Sequence, residues 1–289
     1  MKKNVIMITN PVSGGVDKSE FIDAASNYAA KENLNFVLYE TSADNNTAEI
    51  KALYKKFMPE RIIVAGGDGT IKLVAEALAN EDFILGILPA GSANGLATDL
   101  GLPKSIEDSL PIAFKNDYKE IDVIVVNGKM SLHLSDLGLN ATLIKNYEEG
   151  SMHGRWHYAL QAFKTLINTD VDFSATVTAN NEMTEYQARM IVIANSKKYG
   201  TGVTINPNGV MDDGKFEIII LKNLDFMVFG KIITGNMPLE SEDISIISTD
   251  KATIKTTFPV SFQMDGEYYG AESEFNIEVA PQKLKVAIP

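Results

Sequence analysis

Apolar residues in the first part of the chain alternate between short continuous runs and helical spacing. Val5-Ile6-Met7-Ile8 is a run of strand length, and Phe21, Ala24, Ala25 and Tyr28 then share one helical face. Phe36-Val37-Leu38-Tyr39 predicts a second strand ending near Thr41 and Ser42, and Ile50, Leu53, Tyr54 and Phe57 a second helix. The third cycle runs from Arg61 through Ile62-Ile63-Val64-Ala65 to a glycine pair. Beyond it, Ile71, Val74, Ala75 and Leu78 return to helical spacing. Ile84-Leu85-Gly86-Ile87-Leu88 is a further strand and runs into Pro89-Ala90-Gly91-Ser92-Ala93-Asn94-Gly95. Continuous apolar strands separated by helices predict a parallel sheet covered on both faces. Loops rich in Gly, Ser, Thr and Asn follow these strands, and ligands of such sheets bind at the carboxyl ends of strands.

The pattern changes near Asp122. Ile121-Asp122-Val123-Ile124-Val125-Val126 meets Asn127-Gly128, a hairpin signal, and Met130-Ser131-Leu132-His133-Leu134 continues in strict alternation. Strand-like stretches then dominate, at residues 173–178, 188–194, 216–221, 252–256, 260–264 and 275–279, with helical interruptions predicted at 156–167 and 226–234. The expected architecture is an α/β domain over residues 1–122 and a mainly antiparallel β-sandwich over residues 123–282. The alternating segment Leu284-Lys285-Val286-Ala287-Ile288, within residues 283–289, is a candidate to return to the first domain.

Composition narrows the class. The chain has 289 residues, enough for two domains, and its 45% hydrophobic content is that of an ordinary globular protein. It has no apolar run of the roughly 18 residues needed for a membrane span. The apolar run after Met1-Lys2-Lys3-Asn4 ends at Asn10-Pro11, too soon for a signal peptide, and reads as a first strand. Cysteine is absent, which excludes disulfides and thiolate chemistry and fits a cytoplasmic location. A net charge of −12 argues against nucleic acid as a partner and against standing attachment to an anionic membrane. Brief contact with a membrane that presents a substrate stays open, as does a homodimer.

The chemistry concentrates in Gly66-Gly67-Asp68-Gly69-Thr70. Strand, glycine turn and helix place backbone N–H groups and the positive end of a helix dipole at one point, and glycines let a phosphate chain approach the backbone. Asp68 is out of place beside an anion unless it handles a proton or a metal; its plainer role is that of an Asp-Gly turn residue. Asp213-Gly214 and Asp265-Gly266 are turn signals of the same kind, but a turn leaves Glu267 unexplained. His153 and His157 have the spacing of zinc ligands on a helix, yet no third ligand lies nearby in sequence. The apolar positions Trp156, Tyr158, Leu160, Phe163 and Leu166, and Met227, Phe229, Ile232 and Ile233, suit a helix packed on a sheet better than a lipid tunnel.

Taken together, these stretches resemble the diacylglycerol kinase catalytic-domain family, which includes bacterial diacylglycerol and YegS-type lipid kinases, sphingosine kinases and ceramide kinases. The resemblance is carried by Asn10-Pro11-Val12-Ser13-Gly14, Gly66-Gly67-Asp68-Gly69-Thr70 and Pro89-Ala90-Gly91-Ser92-Ala93-Asn94-Gly95-Leu96-Ala97. Later in the chain it is carried by Asp136-Leu137-Gly138-Leu139-Asn140-Ala141, Ile205-Asn206-Pro207, Asp213-Gly214 and Asp265-Gly266-Glu267. A Gly-Gly-Asp-Gly alone is shared with NAD kinases and phosphofructokinases, and the first domain is expected to have their parallel sheet.

The resemblance implies an ATP-dependent kinase that phosphorylates a lipid hydroxyl, with Mg²⁺ as cofactor and a lipid presented at a membrane surface as substrate. Asn10, Pro11, Val12, Ser13, Gly14 and Thr41 would border the nucleotide. Gly66, Gly67, Asp68, Gly69, Thr70, Ile71 and Lys72 would hold its phosphates, with Thr70 capping the helix, and Ser92 would supply a hydroxyl where bacterial members usually have Thr. Glu267 would be the general base and Asp68 a metal-orienting or base-assisting group; the reverse assignment is the alternative. A structural Mg²⁺ site would draw on the Asp213 carboxylate and the carbonyls of Val210 and Lys215. Lys72 stands where the bacterial family often has Asn, and Gly95-Leu96-Ala97 replaces a common Asp-Phe-Ala, so the lipid is either diacylglycerol-like or sphingoid-like. A soluble-substrate kinase of the NAD-kinase kind and an inactive nucleotide-binding regulator are the competing functions.

Overall fold

The structure, a computed structural model, describes residues 2–42, 44–138, 172–199, 203–222 and 242–289. The helices expected at 156–167 and 226–234, the pair His153 and His157, and Leu139-Asn140-Ala141 lie outside the described residues. The chain divides into two compact units, Met1–Val123 with Pro281–Pro289, and Ile124–Ala280.

The first unit follows the alternation of its sequence: β1 (Asn4–Thr9), α1 (Ser19–Lys31), β2 (Asn35–Glu40), α2 (Asn46–Phe57), β3 (Arg61–Gly66), α3 (Asp68–Ala77), β4 (Ile84–Pro89), α4 (Gly95–Asp99), α5 (Ile106–Lys115) and β5 (Tyr118–Ile121). These strands and the C-terminal strand Leu284–Ala287 form a six-stranded sheet in the order β2, β1, β3, β4, C-terminal strand, β5, parallel except where β5 joins. Because side chains alternate along a strand, Val5, Met7, Ile63 and Ala65 face Phe21, Ala25 and Ala29 of α1 and Leu110, Ala113 and Phe114 of α5. Ile6, Ile8, Ile62 and Val64, also buried, point to the opposite face. Gly86 makes the close seat of α5 possible, since a Cβ there would stand 2.5 Å from the Ala113 carbonyl oxygen.

The second unit is built from β6 (Ile124–Val126), β7 (Lys129–Ser131), β8 (Leu134–Gly138), β9 (Phe173–Ala179), β10 (Glu182–Ala188), β11 (Met190–Ala194), β12 (Lys198–Tyr199), β13 (Val203–Thr204), β14 (Phe216–Leu221), β15 (Ile244–Thr249), β16 (Lys251–Met264) and β17 (Glu267–Val279). The main path runs β15, β14, β11, β8, β16, β17, β6, β7, with the hairpin of β9 and β10 joined through β16, and every pair is antiparallel. The 14-residue β16 changes partner midway: Ala252–Thr256 pairs with β9 and Phe262–Met264 with β8, across register shifts between Lys255 and Val260 and between Ser261 and Gln263. Such irregularities bend a strand, and here they fold the sheet over a core of Phe173, Phe216, Phe262 and Phe275.

Three breaks differ from the hydrophobic pattern, each where a side chain or amide bonds to a residue outside its own stretch. The apparent strand from Ile121 to Val126 is interrupted at buried Asp122, whose carboxylate takes Lys283 Nζ at 2.9 Å. The alternation from Met130 to Leu134 breaks at Leu132 and His133, because their amides donate to the Asp265 carboxylate at 3.2 and 2.9 Å. Residues 188–194 split at Arg189, whose Nε donates to Asp172 at 2.9 Å. The stretches 252–256 and 260–264, by contrast, are one strand. Helices α4 and α5 and strands β5, β10, β12, β13 and β15 are additions to the elements that the pattern picks out.

Candidate active site

The loops after β1, β3 and β4 meet on their glycines. A Cβ on Gly91 would stand 2.3 Å from Gly67 Cα, one on Gly67 would stand 3.0 Å from Gly91 Cα, and one on Gly14 would stand 3.2 Å from the Gly91 backbone. Without side chains these glycines let the loops pack closely, and backbone groups of the three loops are brought together. Thr9 Oγ1 donates to the Ala65 carbonyl at 2.9 Å, Ala90 N to the Gly66 carbonyl at 3.0 Å and Thr41 N to the Thr9 carbonyl at 2.8 Å. Those bonds place the predicted Thr41 beside the end of β1.

Helix α3 starts from this junction, so its positive end lies there. Its N-cap is Gly67, in extended conformation, and no side chain caps it. The expectation that Thr70 caps the helix is thereby corrected: the helix starts at Asp68, and Thr70, in the first turn, packs its side chain over Gly66, where a Cβ would lie 2.7 Å from Thr70 Cβ. Ile71 and Lys72 are buried in α3, and Gly69 lies in its first turn. Asn10 Oδ1 accepts from Val12 N at 3.1 Å, an Asx turn that carries the chain through Pro11 into the short 3₁₀ turn Ser13–Gly15.

Asp68 is half-buried and has a defined task. Its two carboxylate oxygens accept from Gly95 N at 2.9 Å and Leu96 N at 3.1 Å, the first amides of α4. Asn94, in left-handed conformation at φ 54°, closes the same loop: its Oδ1 accepts from Gly91 N at 2.8 Å and its Nδ2 donates to the Gly91 carbonyl at 3.0 Å. Ser92 is left exposed between them. An ionised carboxylate has about four lone-pair sites, so two amide bonds leave acceptor capacity on Asp68.

Lys18 was not singled out by its sequence position. It directly precedes α1, is 3% exposed, and donates from Nζ to the carbonyls of Ala90 at 2.6 Å and Val16 at 3.1 Å. Burial pushes its ammonium below the ordinary lysine range, and the neighbouring Asp17 charge acts in the opposite direction. The only signal in the sequence was a lysine at the exit of a glycine-rich loop.

In the second unit Glu267 opens β17, directly after the tight turn that Asp265 and Gly266 make with φ values of 51° and 88°. Asp265 anchors that turn by accepting from Ser131 Oγ and from the amides of Leu132, His133 and Leu134, at 2.9–3.3 Å. Gln263 anchors it a second time, accepting from Gly266 N at 2.8 Å while its Nε2 donates to buried Asp136. Glu267 itself is exposed, and Tyr269 Oη donates to its Oε2 at 3.1 Å.

The proposed Mg²⁺ ligands lie elsewhere in the same unit. Asp213 Oδ1 accepts from Lys215 N at 3.0 Å in the turn before β14, where Gly214 has φ 77°, and Val210 is exposed. Among the described residues no three His, Cys, Asp or Glu side chains gather at one point. A divalent ion held by these residues would rely on single carboxylates completed by carbonyls, phosphate oxygens and water, a donor set that suits Mg²⁺.

The family description Diacylglycerol kinase catalytic domain matches residues 4–126, and YegS C-terminal NAD kinase beta sandwich-like domain matches residues 136–288. The probable lipid kinase YegS-like of Enterobacter sp. (strain 638) is 28% identical over 236 residues, 80% of this chain and 78% of that protein. Lipid kinase YegS of Escherichia coli (strain K12) is 25% identical over 244 residues, 81% of this chain and 80% of that one. Among solved structures, a diacylglycerol kinase from Bacillus anthracis str. Sterne matches with a TM-score of 0.79 at 21% identity, over 99% of this chain and 97% of that chain. An NAD kinase from Archaeoglobus fulgidus, in complex with ATP, matches with a TM-score of 0.58 at 11% identity, over 98% and 93%. The two structures speak for the fold, an α/β unit followed by an antiparallel sandwich. With one family description over each unit, the chain belongs to the diacylglycerol kinase-related, YegS-type family of lipid kinases.

Proposed function

We propose that the protein is an ATP-dependent kinase that transfers the γ-phosphoryl group to a lipid hydroxyl. The observation that carries this reading is the meeting of Gly14, Gly67 and Gly91 at the amino end of α3. Backbone groups crowded at a helix N-terminus suit a chain of phosphates. Asn10, Pro11, Val12, Ser13, Gly14 and Thr41 border the nucleotide in this reading, Gly66 to Lys72 and Ser92 receive its phosphates, and Lys72 adds a cation. Asp68 sets the loop between β4 and α4 through Gly95 and Leu96, and its remaining acceptor capacity would orient a metal or assist the base.

Glu267 acts as the general base. The acceptor hydroxyl passes its proton to the Glu267 carboxylate as its oxygen bonds to the γ-phosphorus, and the bond to the β–γ bridging oxygen breaks to release ADP. Exposure suits this task, since the base must reach a lipid that arrives from outside. Mg²⁺ bound with the nucleotide would neutralise charge on the phosphates, and a separate, structural Mg²⁺ would be held in the second unit by Asp213 with the carbonyls of Val210 and Lys215. Leu96, where the family often has Phe, is buried, so that exchange alters packing, and the acceptor in this reading is either diacylglycerol-like or sphingoid-like.

The test is transfer of radiolabelled γ-phosphate from ATP with Mg²⁺ to diacylglycerol, monoacylglycerol, phosphatidylglycerol, sphingosine and ceramide in detergent micelles, with NAD as the soluble control. Label on a lipid is expected, and label on NAD alone would overturn the lipid assignment. Glu267→Gln should lower turnover by about 10²–10⁴-fold while ATP affinity stays within about twofold, because a base acts in the transition state. Native turnover in that variant would remove Glu267 from the chemistry.

A further inference from the structure

We propose that Lys18 is a positioning residue of the nucleotide site: its ammonium fastens the loop after β1 to the end of β4 and so fixes the backbone that receives the triphosphate. The loop of residues 10–15 is held to the β4 loop at Gly14, which packs on the Gly91 backbone. It is held again at its far end, where Lys18 Nζ reaches the Ala90 carbonyl at 2.6 Å across 72 residues of chain. Between those points the chain touches its own lysine, since Nζ also meets the Val16 carbonyl at 3.1 Å. The stretch from Gly14 to Lys18 thus forms a short span fixed at both ends to consecutive residues of one neighbouring loop.

Helix polarity and desolvation both act against a lysine at this position. Lys18 is 3% exposed and directly precedes a 13-residue helix, whose amino end disfavours a cation. Asp17 takes the role that favours the helix, accepting from Ser19 N at 2.9 Å and Ser19 Oγ at 2.8 Å. Desolvation disfavours the charged lysine further. A methionine of similar length would fill the same slot without either cost. What methionine cannot supply is the donor that binds Ala90, the residue next to Gly91 at the glycine junction.

The inference rests on the nucleotide reading given above, and the experiment separates the two. Hydrogen exchange in the free protein and titration with MgATP are compared between the native protein, Lys18→Met and Lys18→Arg. Lys18→Met is expected to speed exchange at residues 10–15 and 90–92 and to raise the ATP dissociation constant about tenfold, the loss expected for one hydrogen bond from a charged donor. Its KM for a lipid acceptor should hardly change while ATP affinity falls, a split that a purely structural lysine would not give. Lys18→Arg keeps a cation on the carbonyls and should recover much of the affinity. Native exchange and native ATP affinity in Lys18→Met would overturn the proposal. If the native protein does not bind ATP, the nucleotide reading fails, and exchange alone still decides whether Lys18 joins the two loops.

Discussion

Two aspartates followed by glycine show how one residue pattern divides at the residue scale. Asp265 spends its carboxylate on Ser131 and the amides of Leu132 to Leu134, and thereby sets the turn in front of Glu267. Asp68 spends its own on Gly95 and Leu96. The sequence suggested that Asp68 needed a proton or a metal to explain it, and the two amides of α4 give it a structural task as well. Asp68→Asn separates these tasks. An amide has one acceptor oxygen where the carboxylate has two, so either Gly95 N or Leu96 N loses its partner and stability should fall by about 1–3 kcal/mol. Phosphoryl transfer should fall too, in contrast with exposed Glu267, whose change to Gln should leave stability unaltered. Paired urea denaturation and turnover measurements decide the point. Native stability with lost turnover in Asp68→Asn would show that the bonds to α4 contribute little.

At the scale of elements, what was legible in the sequence depended on whether the cause lay inside the element. The strand β3, its glycine turn and α3 follow from a run of Ile, Val and Ala, a glycine pair and helical spacing, all within one stretch. The breaks at Asp122, Leu132 and Arg189 were not legible, because each depends on a side chain or amide bonding to a residue outside its own pattern: Lys283, Asp265 and Asp172. Strand β10 was hidden for another reason, since an exposed strand with the sequence EMTEYQA carries little hydrophobic alternation. The glycines were legible in the sequence, but the contact of one glycine loop with another was not. Gly67 and Gly91 serve the packing of one loop on another, and a graded test follows. Gly91→Ala places a Cβ 2.3 Å from Gly67 Cα, whereas Gly67→Ala places one 3.0 Å from Gly91 Cα. Overpacking of this kind costs about 1–3 kcal/mol, so Gly91→Ala should lose more thermal stability and more ATP affinity than Gly67→Ala. Equal effects, or none, would mean that the loops part without consequence.

At the scale of the whole molecule, the first unit is completed only by the last strand of the chain. Leu284–Ala287 lies between β4 and β5, pairing Val286 with Leu85 on one side and Leu284 with Ile121 on the other. Its Leu284, Val286 and Ala287 are buried, Lys283 meets buried Asp122, and Asn116 Nδ2 donates to the Ile288 carbonyl at 3.0 Å. Closing so long a loop would slow folding if the intervening chain stayed unfolded. The second unit shortens the path, because its first and last strands pair directly, Ile124 with Val279 and Val126 with Ile277. Once β6 and β17 have joined, residues 121 and 284 are separated by two short connections rather than by a free chain. Deleting residues 284–289 should therefore leave β5 without a neighbour and β4 as an unplanned edge of buried residues, while the sandwich keeps its own core of Phe173, Phe216, Phe262 and Phe275. Hydrogen exchange on the truncated protein is expected to show lost protection in β3 and β4 and retained protection in β11 and β14. Native protection in both sets would mean that the α/β unit closes without its final strand, and that the return of the chain serves only to tether its end.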